Sequence, residues 1–371
     1  MGGSALDKHE CIIVITNPMI AANKSIEVTL SKFLRVISGA HDSIRVMGGN
    51  ICLEKDLTDI EVCSFPILRA GTKLKRVINL LALQLKMAYV LLKMGYKNQR
   101  VFFWIGDKML LPYLVAKIKQ CEINYFIYGN TAKEGNANFF ARLSGFLIRW
   151  MATHAEYTCA ESLSVFEEWK NLKIKKKRIL HLYTDYIKMD TMQSREKVIG
   201  MLCRLTPGKH VIESIRAFNE FHQKNPQWRL EIIGSGIQEE ECKTVISHLQ
   251  AESYIIMRGW IDHERVFEYS SYWRYLLFPT DTEGMPNSVI EMMGRGIPPI
   301  ASAVGGIKDI VVDGENGWII SETSVEGIKT AIDKVLQVSD YEVMATAAWR
   351  TVESGYSLHV ACEHAKCELL S

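Results

Sequence analysis

The chain has 371 residues, of which 48% are apolar and 23% charged, and its formal net charge is +2. This length exceeds what one hydrophobic core usually needs and predicts two domains, while the small net charge argues against a nucleic-acid binder. The charge is unevenly spread, because residues 68–120 contain eleven Lys and Arg residues and a single acid, Asp107.

The N-terminal half alternates between apolar strands and amphipathic helices. Residues 11–16 form a β-branched run that is typical of a strand buried in a parallel sheet. Apolar spacing predicts further strands at 43–47, 101–105, 123–128 and 157–160, and helices at 26–37, 74–94, 112–120, 139–154 and 161–169. A basic run follows and is interpreted as a solvated turn; it comprises Lys173, Lys175, Lys176, Lys177 and Arg178.

The same alternation resumes after residue 185. Strands are predicted at 197–202, 228–233, 254–257, 275–278, 299–301 and 318–320, and helices at 210–224, 239–250, 263–269, 287–295 and 325–337. Regular alternation of strand and helix favours doubly wound parallel sheets. We therefore expect an α/β protein with two Rossmann-like halves of similar size, joined near residues 185–197.

The nine cysteines include no CxxC pair and no histidine cluster accompanies them. An odd number in a long chain is not typical of a disulfide framework, so we expect buried thiols in a reducing, cytoplasmic setting. No run reaches the roughly 18 uncharged apolar residues that a membrane span requires. The sequence therefore predicts a protein that does not cross a membrane.

Residues 279–296, with the sequence PTDTEGMPNSVIEMMGRG, carry the most informative pattern. Pro286 is suited to the start of a helix, so Glu283 is expected in the preceding loop and Glu291 about one turn into the helix. Ligands of doubly wound sheets bind beyond the carboxyl ends of the strands, where a helix start suits a diphosphate. The two carboxylates could then accept hydrogen bonds from the ribose and the sugar of a nucleotide-sugar donor.

At these residues the sequence resembles a known family. The pair Glu283 and Glu291, within EGMPNSVIE, resembles the signature of retaining glycosyltransferase family 4, one of the glycosyl transferases group 1, which has the GT-B fold. The resemblance continues through VGG at 304–306 and DGENG at 313–317. Upstream, CRLTPGK at 203–209 is similar to the family's phosphate-binding loop and IIGSG at 232–236 to its glycine turn. The resemblance covers residues 197–320 well. Before residue 185 it lies mainly in the order of strands and helices.

The resemblance implies two Rossmann-like doubly wound domains facing a central cleft. Residues 1–190 would form the acceptor-binding domain and residues 191–354 the nucleotide-sugar-binding domain. A C-terminal helix at about 355–371 would pack back on the first domain.

The resemblance also implies roles for individual residues. Arg204 and Lys209 would hold the diphosphate and, with Glu283, form the catalytic group, while Glu291 would bind the ribose. Further donor contacts would come from Gly284, Met285, Pro286, Asn287, Ser288, Gly234 and the backbone near Arg258 and Gly259.

The reaction implied is transfer of a sugar with retention at the anomeric carbon. The donor would be a nucleotide-diphosphate sugar, with uridine as the family's commonest base, and the acceptor a glycan or lipid-linked glycan, as in polysaccharide biosynthesis. No DxD motif is placed to hold a metal, so we expect metal-independent transfer without a cofactor. Asp281-Thr282-Glu283 resembles such a motif only loosely.

The N-terminal half departs from the family pattern. The glycine-rich loop after the first strand is replaced by NPMIAAN at 17–23, and no histidine follows the fourth strand at 128–131. Asn130 is the one polar residue there that we name as an acceptor-side contact.

The predicted helix at 73–97 is basic, and it could bind a membrane surface. Cations accompany apolar residues at helical spacing, a pattern of helices that lie on anionic membrane surfaces. Such a helix would place the enzyme peripherally at the inner face of the membrane. The alternative is a core helix with a solvated basic edge.

Three other functions remain compatible with the architecture in different degrees. A sugar-nucleotide epimerase of similar fold would need catalytic carboxylates and a histidine pair, and no clear pair is present. A non-catalytic GT-B partner subunit is compatible with the atypical N-terminal half. A dinucleotide dehydrogenase is less consistent, because neither half has GxGxxG after its first strand.

Overall fold

The computed structural model describes residues 11–17, 24–67, 71–94, 99–106, 108–128, 139–186 and 195–370. The chain divides into two compact units, Met1–Leu182 together with Ala361–Ser371, and Tyr183–Val360. The domain boundary expected at residue 190 lies within 187–194, outside the described residues.

The first unit is built on a parallel sheet with seven strands among the described residues. In chain order these are β1 Ile12–Ile15, β2 Ile44–Gly49, β3 Glu61–Phe65, β4 Arg100–Phe103, β5 Glu122–Phe126, β6 Tyr157–Ala160 and β7 Lys176–Ile179. The spatial order is β3-β2-β1-β4-β5-β6-β7, so the direction of winding reverses between β1 and β4. The helices are α1 Lys24–Ser38, α2 Lys73–Lys93, α3 Leu110–Ile118, α4 Phe139–His154 and α5 Leu163–Glu168.

The part of the second unit that the structure describes contains a parallel sheet with six strands. They are β8 Val198–Leu202, β9 Arg229–Ile233, β10 Ile255–Gly259, β11 Tyr275–Phe278, β12 Pro299–Ser302 and β13 Trp318–Ile320, in the order β10-β9-β8-β11-β12-β13. The helices are α6 Val211–Lys224, α7 Glu239–His248, α8 His263–Ser270, α9 Asn287–Met293, α10 Ile307–Ile310, α11 Val325–Asp333 and α12 Tyr341–Gly355. Short 3₁₀ turns lie at Pro207–Lys209 and Lys334–Gln337.

Both sheets show why the apolar runs form parallel strands. All four residues of β1, β4, β6 and β11 are buried, as expected for strands covered by helices on both faces. The expectation of two doubly wound Rossmann-like domains is therefore confirmed. In the second sheet the winding reverses between β8 and β11, and ligands of such sheets bind at the carboxyl ends of the strands on either side of this point.

The basic run expected to be a solvated turn is instead partly built into the first sheet as β7. Arg178 is 1% exposed, its Nη1 lies 3.1 Å from Glu122 Oε1, and it also donates to Asn124 Oδ1. A buried guanidinium requires such partners because desolvation of an unpaired charge is costly. The pairing of β7 with β6, rather than the local charge, decides the position of Arg178.

The last helix, α13 Leu358–Leu370, lies mostly within the first unit. The Arg100 guanidinium donates to the carbonyl of Leu369 at 2.8 Å, and Ile179 N donates to Glu368 Oε2 at 3.3 Å. These contacts attach the end of the chain to β4 and β7. No helix within the described ranges is long and apolar enough to cross a membrane.

Candidate functional site

Two loops at the carboxyl edge of the second sheet bring two of the three predicted catalytic residues, Lys209 and Glu283, together. One follows β8 and the other follows β11, and Asp281 N donates to Gly208 O at 3.1 Å between them. Lys209 Nζ donates to Glu283 Oε1 and lies 3.2 Å from Thr280 Oγ1. Lys209 and Glu283 are 74 residues apart in sequence, and their contact follows from the adjacency of β8 and β11.

The Lys209–Glu283 pair lies in a partly shielded environment. The two side chains are 15% and 17% exposed, and Lys209 Nζ lies 4.7 Å from the centroid of the Phe278 ring. Limited solvent around an ion pair strengthens its electrostatic interaction relative to a surface pair. The arrangement therefore holds one cation and one hydrogen-bond acceptor at defined positions on the sheet edge.

His210 adds a second link between the same loops. Its backbone is left-handed, with φ of 46°, which is uncommon for a residue other than glycine. Its Nε2 lies 2.7 Å from Asp281 Oδ1. Strained backbone of this kind persists where surrounding contacts hold it and is concentrated at functional sites.

Arg204, the other predicted diphosphate ligand, is exposed. Its backbone is fixed nearby, because Leu205 N donates to Ser235 O at 3.0 Å. Among the described residues, no partner within hydrogen-bond or ion-pair distance is found for its guanidinium. The structure thus places Arg204 in the loop after β8 but does not bring its side chain onto the Lys209–Glu283 pair.

Gly234 and Gly259 lie side by side at the ends of β9 and β10. Gly234 N donates to Gly259 O at 2.9 Å. Gly234 has φ of +142°, and a Cβ there would lie 1.9 Å from the carbonyl oxygen of Cys203, so only glycine fits. The Arg258 guanidinium is bound to buried Glu231 at 3.1 Å, which leaves its backbone as the part suited to the predicted base contact.

The loop from Gly284 to Pro286 leads into α9. Met285 is 6% exposed and Pro286 is buried, and α9 begins at Asn287 as the sequence predicted. Asn287 Oδ1 is buried and has no hydrogen-bond partner among the described residues, and Ser288 is half-buried. A buried amide oxygen without a partner is unusual in native proteins. The start of α9 therefore offers a hydrogen-bond acceptor to a ligand.

A glycine pair closes this loop from the other side. Gly306 N donates to Gly284 O at 2.6 Å. Gly305 has φ of +50°, and a Cβ there would lie 2.0 Å from the Glu283 carbonyl oxygen. The double glycine recognised in the sequence therefore allows two backbones to approach closely beside Glu283.

Glu291 is buried at 4% exposure within α9. His263, the first residue of α8, places its Nε2 at 3.1 Å from Glu291 Oε1. Sequence reasoning did not identify His263, because a lone histidine at a helix start carries no motif. The predicted ribose ligand therefore has a neighbour that only the fold reveals.

Arg295 lies just beyond α9 and contributes positive charge to this region. Its guanidinium carbon lies 3.3 Å from the centroid of the Phe267 ring, a cation–π contact. Burial lowers the pKa of Arg295 to about 10, and the negative charge of Glu291 acts in the opposite direction. Arg295 therefore stays protonated at neutral pH.

Two predictions receive no structural test from these contacts. Asn130, named as an acceptor-side contact, lies outside the described residues. In the part of the chain that the structure describes, no group of three or more His, Cys, Asp or Glu side chains is placed to hold a metal ion. Metal independence stays a prediction.

Comparison with known sequences finds similarity in the second unit. Residues 185–349 match the profile of the glycosyl transferases group 1. An uncharacterized glycosyltransferase of Haemophilus influenzae is 28% identical over 155 residues, which is 41% of this chain and 43% of that protein. The GtfA subunit of the UDP-N-acetylglucosamine–peptide N-acetylglucosaminyltransferase of Streptococcus pneumoniae is 33% identical over 122 residues, 33% of this chain and 24% of the relative. The chain thus spans less than half the length of these relatives.

The fold also matches solved structures over nearly the whole chain. The Anabaena protein Alr3699/HepE, crystallised with UDP and glucose, superposes with a TM-score of 0.74 at 14% sequence identity, over 97% of this chain and 99% of that one. Likeness at this identity shows the fold, which is GT-B. Residues 185–349 are therefore similar to the glycosyl transferases group 1, within a chain of GT-B fold.

Proposed function

We propose that the protein is a retaining glycosyltransferase of family 4 that moves a sugar from a nucleotide-diphosphate sugar, with uridine as the base, to a glycan or lipid-linked acceptor. The observation that carries this proposal is the contact between Lys209 and Glu283 at the carboxyl edge of the second sheet, where β8 and β11 are neighbours. A cation and an acceptor held together there suit a ligand that has a diphosphate next to a sugar.

Each part of the donor has a counterpart in this site. Arg204 and Lys209 bind the diphosphate, and Glu291 accepts hydrogen bonds from the ribose. Glu283 and the backbone of 284–288 bind the sugar, with Asn287 Oδ1 available as an acceptor. The backbone at 258–259 contacts the base.

The reaction exchanges one bond at the anomeric carbon for another on the same face of the sugar. The bond from this carbon to the diphosphate oxygen breaks, a bond to the acceptor oxygen forms, and the acceptor's proton passes to the leaving diphosphate. The transition state has oxocarbenium character, as in other glycosyl transfers. Lys209 and Arg204 stabilise the negative charge that develops on the leaving group. Glu283 orients the sugar and is not a covalent nucleophile.

The choice of uridine rests on the named relatives. The streptococcal relative is named for a UDP-sugar donor, and the Anabaena structure contains UDP and glucose. These names also support transfer over the alternatives of a sugar-nucleotide epimerase or a non-catalytic partner subunit.

A lipid-linked acceptor would bring the enzyme to a membrane, and α2 has a surface suited to this. Its inner face is buried through Leu83, Met87 and Leu91. Its outer face exposes apolar side chains at helical spacing: Leu74, Val77, Ile78, Leu81, Leu85, Tyr89 and Leu92. We call this the α2 outer face. Exposed apolar patches of this extent mark interaction surfaces.

The positive charge of α2 favours an anionic surface as the partner of the α2 outer face. The helix contains Lys73, Lys75, Arg76, Lys86 and Lys93 and no acid. Two copies meeting through the α2 outer face would bring like charges together, whereas an anionic bilayer attracts them at roughly 1 kcal/mol per cation near the surface. Peripheral attachment at the cytoplasmic face of a membrane follows.

Vesicle co-sedimentation tests the α2 outer face. We expect binding to vesicles containing anionic lipid, weakened by salt, and a clear loss in the double variant Leu81→Ser, Leu85→Ser. The control pair Ile237→Ser, Val343→Ser alters apolar side chains of the second unit that are more exposed than Leu81 and Leu85. Equal binding by both double variants would contradict the assignment of this face.

The donor half is tested by thermal unfolding with UDP, GDP, ADP and the corresponding glucose and N-acetylglucosamine nucleotides. A ligand that binds the folded state raises Tm, and we expect the largest increase with a uridine nucleotide. Turnover is then followed as UDP release with glycan and lipid-linked acceptors. Absence of any nucleotide-dependent increase in Tm and of any transfer product would refute the proposed function.

A further inference from the structure

The contact between His263 and Glu291 joins two helices that are separated along the chain. His263 opens α8, Glu291 lies in α9, and the two residues are 28 positions apart. The Glu291 side chain is only 5% exposed, while that of His263 is 39% exposed. The imidazole of His263 is thus half-exposed, and the carboxylate that it contacts is buried.

The orientation of the imidazole is set by its neighbours. The His263 ring packs edge-on against Phe267, one turn further along α8, with ring centroids 5.5 Å apart and an interplanar angle of 76°. The Phe267 ring also contacts the guanidinium of Arg295. The ring is therefore held by aromatic packing as well as by its hydrogen bond, and its Nε2 is directed at Glu291.

The donor in this contact is set by the tautomer of the His263 imidazole. An ionised carboxylate only accepts hydrogen bonds, so Nε2 donates when Glu291 is ionised. A carboxylate has about four lone-pair sites on its two oxygens, so one that accepts from an imidazole can also accept from the hydroxyls of a ribose.

The location of His263 also fits this role. The segment 259–263 begins at Gly259, whose carbonyl accepts from Gly234 N, and ends at His263 on Glu291. It therefore connects the ends of β9 and β10 to α9 at the same carboxyl edge. A donor nucleoside bound at this edge would have its ribose beside the carboxylate that His263 holds.

We propose that His263 is a positioning residue that holds the Glu291 carboxylate in the orientation needed to accept hydrogen bonds from the donor's ribose hydroxyls. This inference rests on the proposed function, because it assigns a partner to the predicted ribose ligand. His263 acts through Glu291 and takes no part in bond exchange. It determines affinity for ribonucleotides over deoxyribonucleotides.

The test compares UDP with its 2′-deoxy and 3′-deoxy analogues in calorimetric titrations of the full chain. For His263→Ala we expect the Kd of UDP to rise about 10-fold, the scale of a hydrogen bond to a charged group, and the Kd of the deoxy analogue lacking the recognised hydroxyl to rise less than about 2-fold. His263→Gln, which retains a side-chain donor, should recover most of the affinity for UDP. His248→Ala, at the exposed end of α7, serves as the matched control.

Steady-state kinetics supply a second readout. The loss in His263→Ala should appear mainly in the KM of the donor, with kcat within about 3-fold of the unaltered chain, because the contact is made before and during the reaction. A merely structural role would raise the Kd of UDP and of both deoxy analogues by the same factor, and would overturn the inference. If the unaltered chain binds no nucleotide, the proposed function fails instead, so the two failures are distinguishable.

Discussion

Lys209 in the loop after β8 donates a hydrogen bond to the carboxylate of Glu283 in the loop after β11. Both side chains are mostly buried, and Thr280 lies within 3.4 Å of the same carboxylate oxygen. In the proposed function, this pair joins the diphosphate ligand to the sugar ligand. Donor binding would then act on two groups that already constrain each other, and substitution of either one should affect the other.

Replacement of Lys209 by alanine should reduce kcat/KM by about 10² to 10³, because a preorganised cation is lost where the leaving group develops charge. Lys209→Arg should be intermediate, since a planar guanidinium does not reproduce a point charge among Thr280 and Phe278. Lys243→Ala, at an exposed lysine of α7, is the control. Activity of Lys209→Ala within about 2-fold of the unaltered chain would contradict the assignment.

Replacement of Glu283 by glutamine should slow transfer by about 10- to 100-fold, the range expected when a hydrogen bond to a charged group is lost. The product should keep the anomeric configuration of the donor, as NMR of the purified product would measure. A nucleophilic role would instead abolish turnover, or yield a covalent sugar adduct on Glu283 detectable by mass spectrometry of the native chain.

Replacement of Gly305 by alanine should damage the sugar side of the site. The new Cβ would meet the Glu283 carbonyl at 2.0 Å in a backbone with φ of +50°, and a left-handed alanine costs about 1 kcal/mol or more. We expect a lower Tm and a smaller increase in Tm with UDP-sugar. Gly355→Ala is the control, because no atom lies within 4 Å of its Cβ and helical alanine is favoured. Equal behaviour of the two variants would argue against a tight turn at Gly305.

Chelation with EDTA should leave the transfer rate unchanged. The positive charge that the leaving diphosphate needs is assigned to Lys209 and Arg204 and therefore does not depend on a divalent ion. Initial rates with and without chelator, using dialysed protein, measure this. Loss of activity that Mg²⁺ restores would show that the prediction is wrong.

The first unit should lose stability in mild acid through His181. Its ring lies 5.1 Å from that of His364 in α13, and burial, aided by that neighbouring histidine, lowers the pKa of His181. Below about pH 6.5 the unfolded chain takes up a proton that the folded chain excludes, so stability is full above this pH and falls as the pH decreases. His181→Gln should reduce the difference in Tm between pH 8 and pH 5.5. An unchanged difference would contradict this account, and His248→Gln serves as a control.

Buried elements were the ones that local sequence could predict. The interior strands of both sheets are apolar runs between turn residues, so β1, β4, β6 and β11 lie where the pattern placed them. The edge strands β3 and β7 of the first sheet were not predicted because their composition is polar, whereas the more apolar edge strands β10 and β13 of the second sheet were predicted. The helix α12 was also missed, and the helix predicted at 325–337 ends earlier and continues as a 3₁₀ turn.

Part of the candidate site could also be predicted from local sequence. Glu283, Pro286 and Glu291 lie in one short segment, so their spacing and the start of α9 follow from local rules. The partners of these residues come from other segments. Thr280 beside Lys209, and Asp281 beside His210, could be paired only once β8 and β11 were known to be neighbours.

The sequence by itself determined the two parallel α/β units, the position of the EGMPNSVIE segment after a buried strand, and the residue types that a nucleotide-sugar donor needs. Only the tertiary structure decided that Lys209 contacts Glu283, that His263 contacts Glu291, and that Arg178 is buried. The physical reason is that periodicity reports which face of an element is buried, whereas these contacts depend on strand order. In a doubly wound sheet, strand order departs from chain order at the point where β8 and β11 meet.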